Sequence, residues 1–339
     1  MSKLTSSSNT ALSIFIYGKP KTKKTMWATQ PVEDNFAVTV LDIENNLFSA
    51  LVHPHADRIN TLNLRYSPAT TAQSTTREDY APALAFFQAL LGAAGRTFYW
   101  DEEARKAVPI GMVKPERTYC VVNPADLTYR DVLVLDSWTA LLPQVEATKD
   151  MNLTKGAAPN PYQLFSDITL GVNISEFGKT RDICDTILNL LTSLPCTVIV
   201  IGHEYMWEKK GQDGKTVLGT YSQPLSATGA HGQTLSRWFN MSLRTEQDVA
   251  DPMSIKISSK PQRSNICGTS VLPPEENSLD NYTLGVVYKK LSRELPSEPY
   301  ESKAFRFLTG EEIKAEHDSK STSATTAKTV TVNASGFVR

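Results

Sequence analysis

"IYGKPKTKKTMWA" (Ile16–Ala28) decides how this chain is read. Gly18 is followed six residues later by Lys24 and Thr25, the outline of the phosphate-binding pattern G-x-x-x-x-G-K-[ST]. Lys23 stands where that pattern has its second glycine. Glycine there allows positive φ or close backbone approach, and a lysine held left-handed costs about 1 kcal/mol. Upstream, Leu12–Tyr17 is a short apolar run that suits a buried strand, and downstream a short helix must end near Pro31. A strand–loop–helix turn aims backbone N–H groups at phosphate. In that reading Gly18, Lys19, Pro20, Lys21, Thr22, Lys23, Lys24 and Thr25 cradle the nucleotide. Lys24 meets the β and γ phosphates of ATP, and the Thr25 hydroxyl takes Mg²⁺. The other reading of the same letters is a basic surface turn.

Further apolar runs also stop at polar residues. "FAVTVL" (Phe36–Leu41) runs into Asp42 and Glu44, "DVLVLDSWTALL" (Asp131–Leu142) reaches Asp136 and Ser137, and "TVIVIG" (Thr197–Gly202) ends at His203. Asp136 is placed to hold Mg²⁺, Glu44 to act as base on the water attacking the γ phosphate, and His203 to sense that phosphate. Each alone is equally a strand-end cap or a structural hydrogen-bonder. Helical patterns at Ala81–Ala94 and about Gln163–Leu194 lie between the strands, with a further short strand at Ile59–Leu64. Strands alternating with helices predict an α/β fold, a mostly parallel twisted sheet with helices on both faces. Ligands of such sheets bind at the carboxyl ends of the strands.

Composition narrows the classes. A chain of 339 residues with 40% hydrophobic and 21% charged residues can build a sizeable core. The net charge of −1 supplies no global basic field for nucleic acid or anionic membrane. Cys120, Cys184, Cys196 and Cys267 lie far apart without C-x-x-C spacing, which reads as reduced thiols in a cytoplasmic protein. No apolar run is long enough to span a membrane. The organisation expected is a core over residues 1–250 with an insertion at about 96–118, a β-rich C-terminal extension over 251–314, and a flexible Ser/Thr-rich tail over 315–339.

Taken in order, these motifs resemble the RecA-like P-loop ATPases, especially phage-encoded single-strand-annealing and recombination ATPases. "GKPKTKKT" (Gly18–Thr25) resembles their Walker A loop, "VTVLDIENNLFSAL" (Val38–Leu51) the strand ending D-x-E, and "VLVLDSWTALLP" (Val132–Pro143) the Walker B run. "VIVIGHEY" (Val198–Tyr205) resembles the next strand with its polar sensor. "ATGAHGQTLSRWFNMSLRTE" (Ala227–Glu246) resembles the segment that closes the second DNA-facing loop. The resemblance implies a RecA-like core with ATP and Mg²⁺ as cofactors and Glu44 as catalytic base. Arg237 would reach a neighbouring subunit's nucleotide, and a homo-oligomer, ring or filament, would assemble in the cytoplasm (the host's, for a phage protein).

The same resemblance implies single-stranded DNA as partner, with a single-stranded-DNA-binding protein as a possible second. Met151–Pro161 and Trp207–Gly232 are the DNA-facing candidates. The latter holds Trp207, Lys209, Lys210, Lys215, Tyr221 and His231, a mix suited to backbone contact and base stacking, or simply a solvated hairpin. The alternatives are a catalytically weak P-loop module for DNA binding or assembly, and a helicase or helicase-loader relative.

Overall fold

The computed structural model describes residues 11–44, 47, 50, 53–65, 81–151, 176–212, 215–226, 229–251, 253–261 and 267–329. The fold is α/β, with helices on both faces of a mostly parallel sheet. Its parallel strands are β1 (Ser13–Gly18), β2 (Ala37–Asp42), β3 (Ile59–Asn63), β7 (Asp131–Asp136), β8 (Thr197–Lys210) and β10 (Met241–Gln247). Between β3 and β7 the chain forms the antiparallel strands β4 (Phe98–Asp101), β5 (Lys106–Val108) and β6 (Thr118–Val122). β9 (Val217–Pro224) returns along the far half of β8, while β11 (Ile255–Ser258), β12 (Gly268–Thr269) and β13 (Glu276–Ser278) extend the sheet beyond β10.

Across the main sheet the order is β13-β11-β10-β1-β8-β7-β2-β3. The chain leaves β1 for β2, three strands away, then fills β7 and β8 between them before crossing β1 to reach β10. β1, β2 and β7 are buried along their whole length, which is why each reads as a continuous apolar run. Period-two alternation then divides the core. Phe15, Tyr17, Leu133, Leu135, Val198 and Val200 face one side, packed with α2 (Pro82–Ala93), α3 (Trp138–Met151) and α4 (Glu176–Ser193). Ile14, Ile16, Val132, Val134, Ile199 and Ile201 face the other. There they meet Trp27 and Ala28 of α1 (Lys24–Thr29), and Val287 and Tyr288 of α6 (Leu284–Lys290), the helix that follows the short α5 (Gly229–Thr234). The Trp27 indole N–H donates to the Tyr282 carbonyl and ties α1 to the segment before α6.

Several local expectations shift. α1 stops at Thr29 as read, but the chain continues as a 3₁₀ turn over Gln30–Asp34. α4 accounts for the end of the long helical pattern, and residues 163–175 of that stretch lie outside the description. β8 does not end at His203. It pairs with β1 that far and then runs on to Lys210 as one arm of a hairpin with β9. The insertion forms a second sheet in the order β14-β6-β4-β5, with β14 (Phe305–Thr309) as its outer strand.

The Ser/Thr-rich tail, expected to be flexible from 315, carries the helix α7 (Gly310–Thr329). Thr309 opens it. Its hydroxyl and amide both donate to the Glu312 carboxylate, and the Glu312 amide donates back to the hydroxyl, a reciprocal cap that the composition of the tail conceals. Residues 330–339 lie outside the description.

Candidate active site

The loop after β1 is shaped by its backbone. Lys21 (φ 65°) and Lys23 (φ 54°, ψ 25°) are both left-handed, so the position where the pattern has glycine keeps a glycine-like conformation with a lysine in it. Left-handed turns of this kind form anion-binding concavities. Gly18 sits where no side chain fits: a Cβ there would lie 2.3 Å from both the carbonyl and the hydroxyl oxygen of Thr245 on β10. The Thr245 hydroxyl in turn lies 2.7 Å from that of Thr22, which fastens the loop to the neighbouring strand.

Lys24 folds back into this loop, where its ammonium donates to the carbonyls of Lys19 (2.7 Å) and Gly18 (3.1 Å). Burial lowers its pKa to about 8, against the opposing pull of the Glu44, Asp136 and Glu204 charges. The next residue, Thr25, donates its hydroxyl to Asp136 Oδ2 at 2.8 Å, across 111 residues of sequence. Asp136 closes β7, and burial pushes its carboxyl up to about 6. The Asp136 carbonyl accepts the amides of Ile43 (2.7 Å) and Glu44 (3.1 Å), so the end of β7 fixes where the chain turns after β2.

Glu44 reaches from that turn to His203, with its Oε1 3.0 Å from His203 Nε2. This hydrogen bond, more than any other influence, holds the Glu44 carboxyl below the usual range, aided by Ser137, the His203 charge and Lys24. His203 lies in register with Gly18, and its amide donates to the Thr139 hydroxyl at 2.9 Å. Lys24, Thr25, Asp136, Glu44 and His203 therefore converge at the carboxyl ends of β1, β2 and β7 and at the point along β8 where its pairing with β1 stops. The chain order reverses at β1, the kind of position at which open α/β sheets bind their ligands.

Asp42, in register with Asp136, is committed elsewhere: its buried carboxylate holds Arg65 at 2.9 Å. Arg237 does not join the group. It sits exposed in the turn before β10, at the amino end of the sheet, its Nε donating to the Thr234 carbonyl. Four residues of strand, about 13 Å, separate the start of β10 from the level of Gly18.

Nucleotide and metal fit this donor set. Thr25 and Asp136 are the groups that would hold Mg²⁺. Among the described residues no cluster of three or more metal-ligating side chains exists. Mg²⁺ bound through phosphates and water needs only one or two protein groups.

The β8–β9 hairpin rises from the same end of the sheet. Tyr205, Trp207 and Lys209 alternate on one face of β8, and Trp207 stacks on its cross-strand partner Tyr221 with ring centroids 4.8 Å apart. Tyr205 is half exposed, and Lys209 and Lys210 are exposed. His231 does not belong to this surface, because it is buried and held by Ser226 (2.7 Å) and Asp185 (3.0 Å). Of the other DNA-facing candidate, Met151 closes α3 and residues 152–161 lie outside the description, as do Asp213 and Gly214 at the hairpin tip.

Thr245, Glu204 and Arg244 gain importance only from the fold. Thr245 braces the loop, while Glu204 and Arg244 pair at 2.9 Å between β8 and β10. Two ordinary residues of a strand and the residue after a histidine carry no one-dimensional signal. Among the described residues, no helix is long and apolar enough to cross a membrane.

Comparison with known proteins adds little. No family model matches the chain, and no curated protein matches it. Among solved structures, the RadB recombinase aligns over 80% of this chain and 87% of its own, at 11% identity and a TM-score of 0.32.

Proposed function

We propose that this chain is a RecA-like P-loop ATPase that binds ATP with Mg²⁺ and acts on single-stranded DNA in recombination or replication. The observation that carries the reading is the convergence of two pairs, Thr25–Asp136 at 2.8 Å and Glu44–His203 at 3.0 Å, around the buried ammonium of Lys24. A Mg²⁺ ion held by Thr25 and Asp136 would neutralise charge on the β and γ phosphates.

The chain's own groups do the rest. Lys24 exchanges its carbonyl partners for phosphate oxygens, and the left-handed loop presents backbone amides to the same anion. Glu44, kept ionised by His203, orients the attacking water and accepts its proton. Arg237, facing away from its own site, is suited only to a neighbour's nucleotide, as in a homo-oligomeric ring or filament, where it would stabilise charge in the transition state. The aromatic and lysine face of the hairpin is the single-stranded DNA surface, with Trp207 and Tyr221 as stacking platform. The order of motifs, which resembles phage recombination ATPases, is the support for a phage source.

A second reading, a P-loop module that binds without turnover, is motivated by Lys23. Steady-state hydrolysis with and without single-stranded DNA separates the two. Glu44→Gln is expected to lower turnover about 100-fold or more while ATP binding stays intact. Hydrolysis that is absent in the native chain, or indifferent to Glu44→Gln, would leave the binding module as the surviving reading.

A further inference from the structure

β8 is one unbroken strand that carries His203 in the candidate active site and Trp207 on the exposed aromatic face, four residues apart. Between them lies Glu204, whose side chain is 1% exposed. Gly202 and Glu204 continue the face of Val198 and Val200, so Glu204 points to the α3 and α4 side of the sheet. Its partner Arg244 belongs to β10, in register with Tyr17 of β1. The pair therefore reaches across the strand that leads into the phosphate loop.

The contacts of this carboxylate are lopsided. Oε1 accepts Arg244 Nε at 3.1 Å and Nη2 at 2.9 Å, together with the Ser222 hydroxyl of the returning strand β9. Oε2 is buried and has no hydrogen-bond partner among the described residues. The charge of Glu204 also acts on Lys24. One side chain thus touches the hairpin through Ser222, braces the strand flanking the phosphate loop through Arg244, and borders the candidate sensor through the backbone of His203. A buried carboxylate with one saturated and one empty oxygen is a half-satisfied network, ready to rearrange when either neighbour moves.

We propose that Glu204 is a positioning residue that couples occupancy of the hairpin face to occupancy of the nucleotide site, through its ion pair with Arg244 and its hydrogen bond from Ser222. This inference rests on the functional reading above. Displacement of β9 by a bound strand moves Ser222 against Arg244. The carboxylate then re-aims, and His203 and Lys24 respond. Linkage requires the reverse as well, so nucleotide must change the affinity for DNA by the same factor.

The test measures binding of a labelled oligothymidylate by fluorescence anisotropy, with and without Mg²⁺ and adenylyl imidodiphosphate. The native chain is expected to show about a tenfold ratio between the two affinities, within the usual range of coupling. Glu204→Gln keeps the shape of the side chain and removes its charge. It should leave nucleotide affinity within about threefold and collapse the ratio toward one. Ser222→Ala, which leaves the ion pair and the fold untouched, should reduce the ratio part of the way. A residue serving only the fold would lower both affinities together and keep their ratio.

A native chain that binds both ligands, with the ratio preserved in both variants, overturns the role of Glu204 alone. A native chain that binds neither ligand overturns the functional reading, and this inference with it.

Discussion

Lys24 pays a large electrostatic penalty in the ligand-free protein, which makes its removal a sharp test. Burial lowers its pKa from the ordinary lysine value to about 8. A drop of that size corresponds to about 3 kcal/mol against the charged form. Because the folded pKa of this base is depressed, the penalty is fully present below about pH 8. It is relieved as pH rises from there toward the value of the unfolded chain. Lys24→Met removes the penalty at neutral pH and also removes the hydrogen bonds to the Gly18 and Lys19 carbonyls, which come from a charged donor and are worth about 1.5 kcal/mol each. The two effects offset each other, so the ligand-free variant should melt within about 2 °C of the native chain. MgATP at about one hundred times its dissociation constant should add about 2.7 kcal/mol to the native chain, and nothing to the variant. Scanning calorimetry with and without MgATP reads both effects. A variant that melts well below the native chain without nucleotide, and still rises with it, would show that Lys24 braces the loop and does not bind phosphate.

The other expectations are smaller. Burial pushes Asp136 up to about 6, and Mg²⁺ needs the carboxylate. Mg²⁺-dependent ATP affinity should accordingly fall about tenfold per pH unit below that value, and a flat profile between pH 5 and 8 would remove Asp136 from the metal site. Trp207→Ala should weaken oligothymidylate binding by about 1–3 kcal/mol and leave nucleotide affinity in the absence of DNA unchanged, as measured by anisotropy. An undiminished DNA affinity would assign the stacked pair to hairpin stability alone. Lys23→Gly should leave MgATP affinity within about threefold, since the backbone already holds the left-handed form. A gain of an order of magnitude would mean that the lysine side chain obstructs the site.

What the sequence revealed depended on burial. β1, β7 and the first part of β8 are covered on both faces, so they read as apolar runs whose ends fall at Gly18, Asp136 and His203. Residues that share those ends meet in space because neighbouring parallel strands finish together. Lys23 was the one letter out of pattern, and its φ of 54° shows that the backbone, not the side chain, met the requirement of the loop. The second sheet was less visible. Its strands are three to five residues long, too short for a periodicity to read, and β6 pairs with a segment nearly two hundred residues away. Glu204 and Arg244 were hidden for a different reason: an ion pair across an intervening strand depends on strand order, which the letters of β8 and β10 do not contain.

That second sheet also sets an order in time. β6 is made long before Phe305–Thr309, the segment that pairs with its outer edge. Until that segment emerges, the nascent chain holds β6 with one row of backbone groups unanswered and with Cys120 and Val122 lacking the cover of Phe305 and Ala304. The late strand works as a clasp, closing a seam left open while the residues between the two strands are made. A chain cut short before Phe305 would keep that seam open for good, and its defect would show first as self-association through β6.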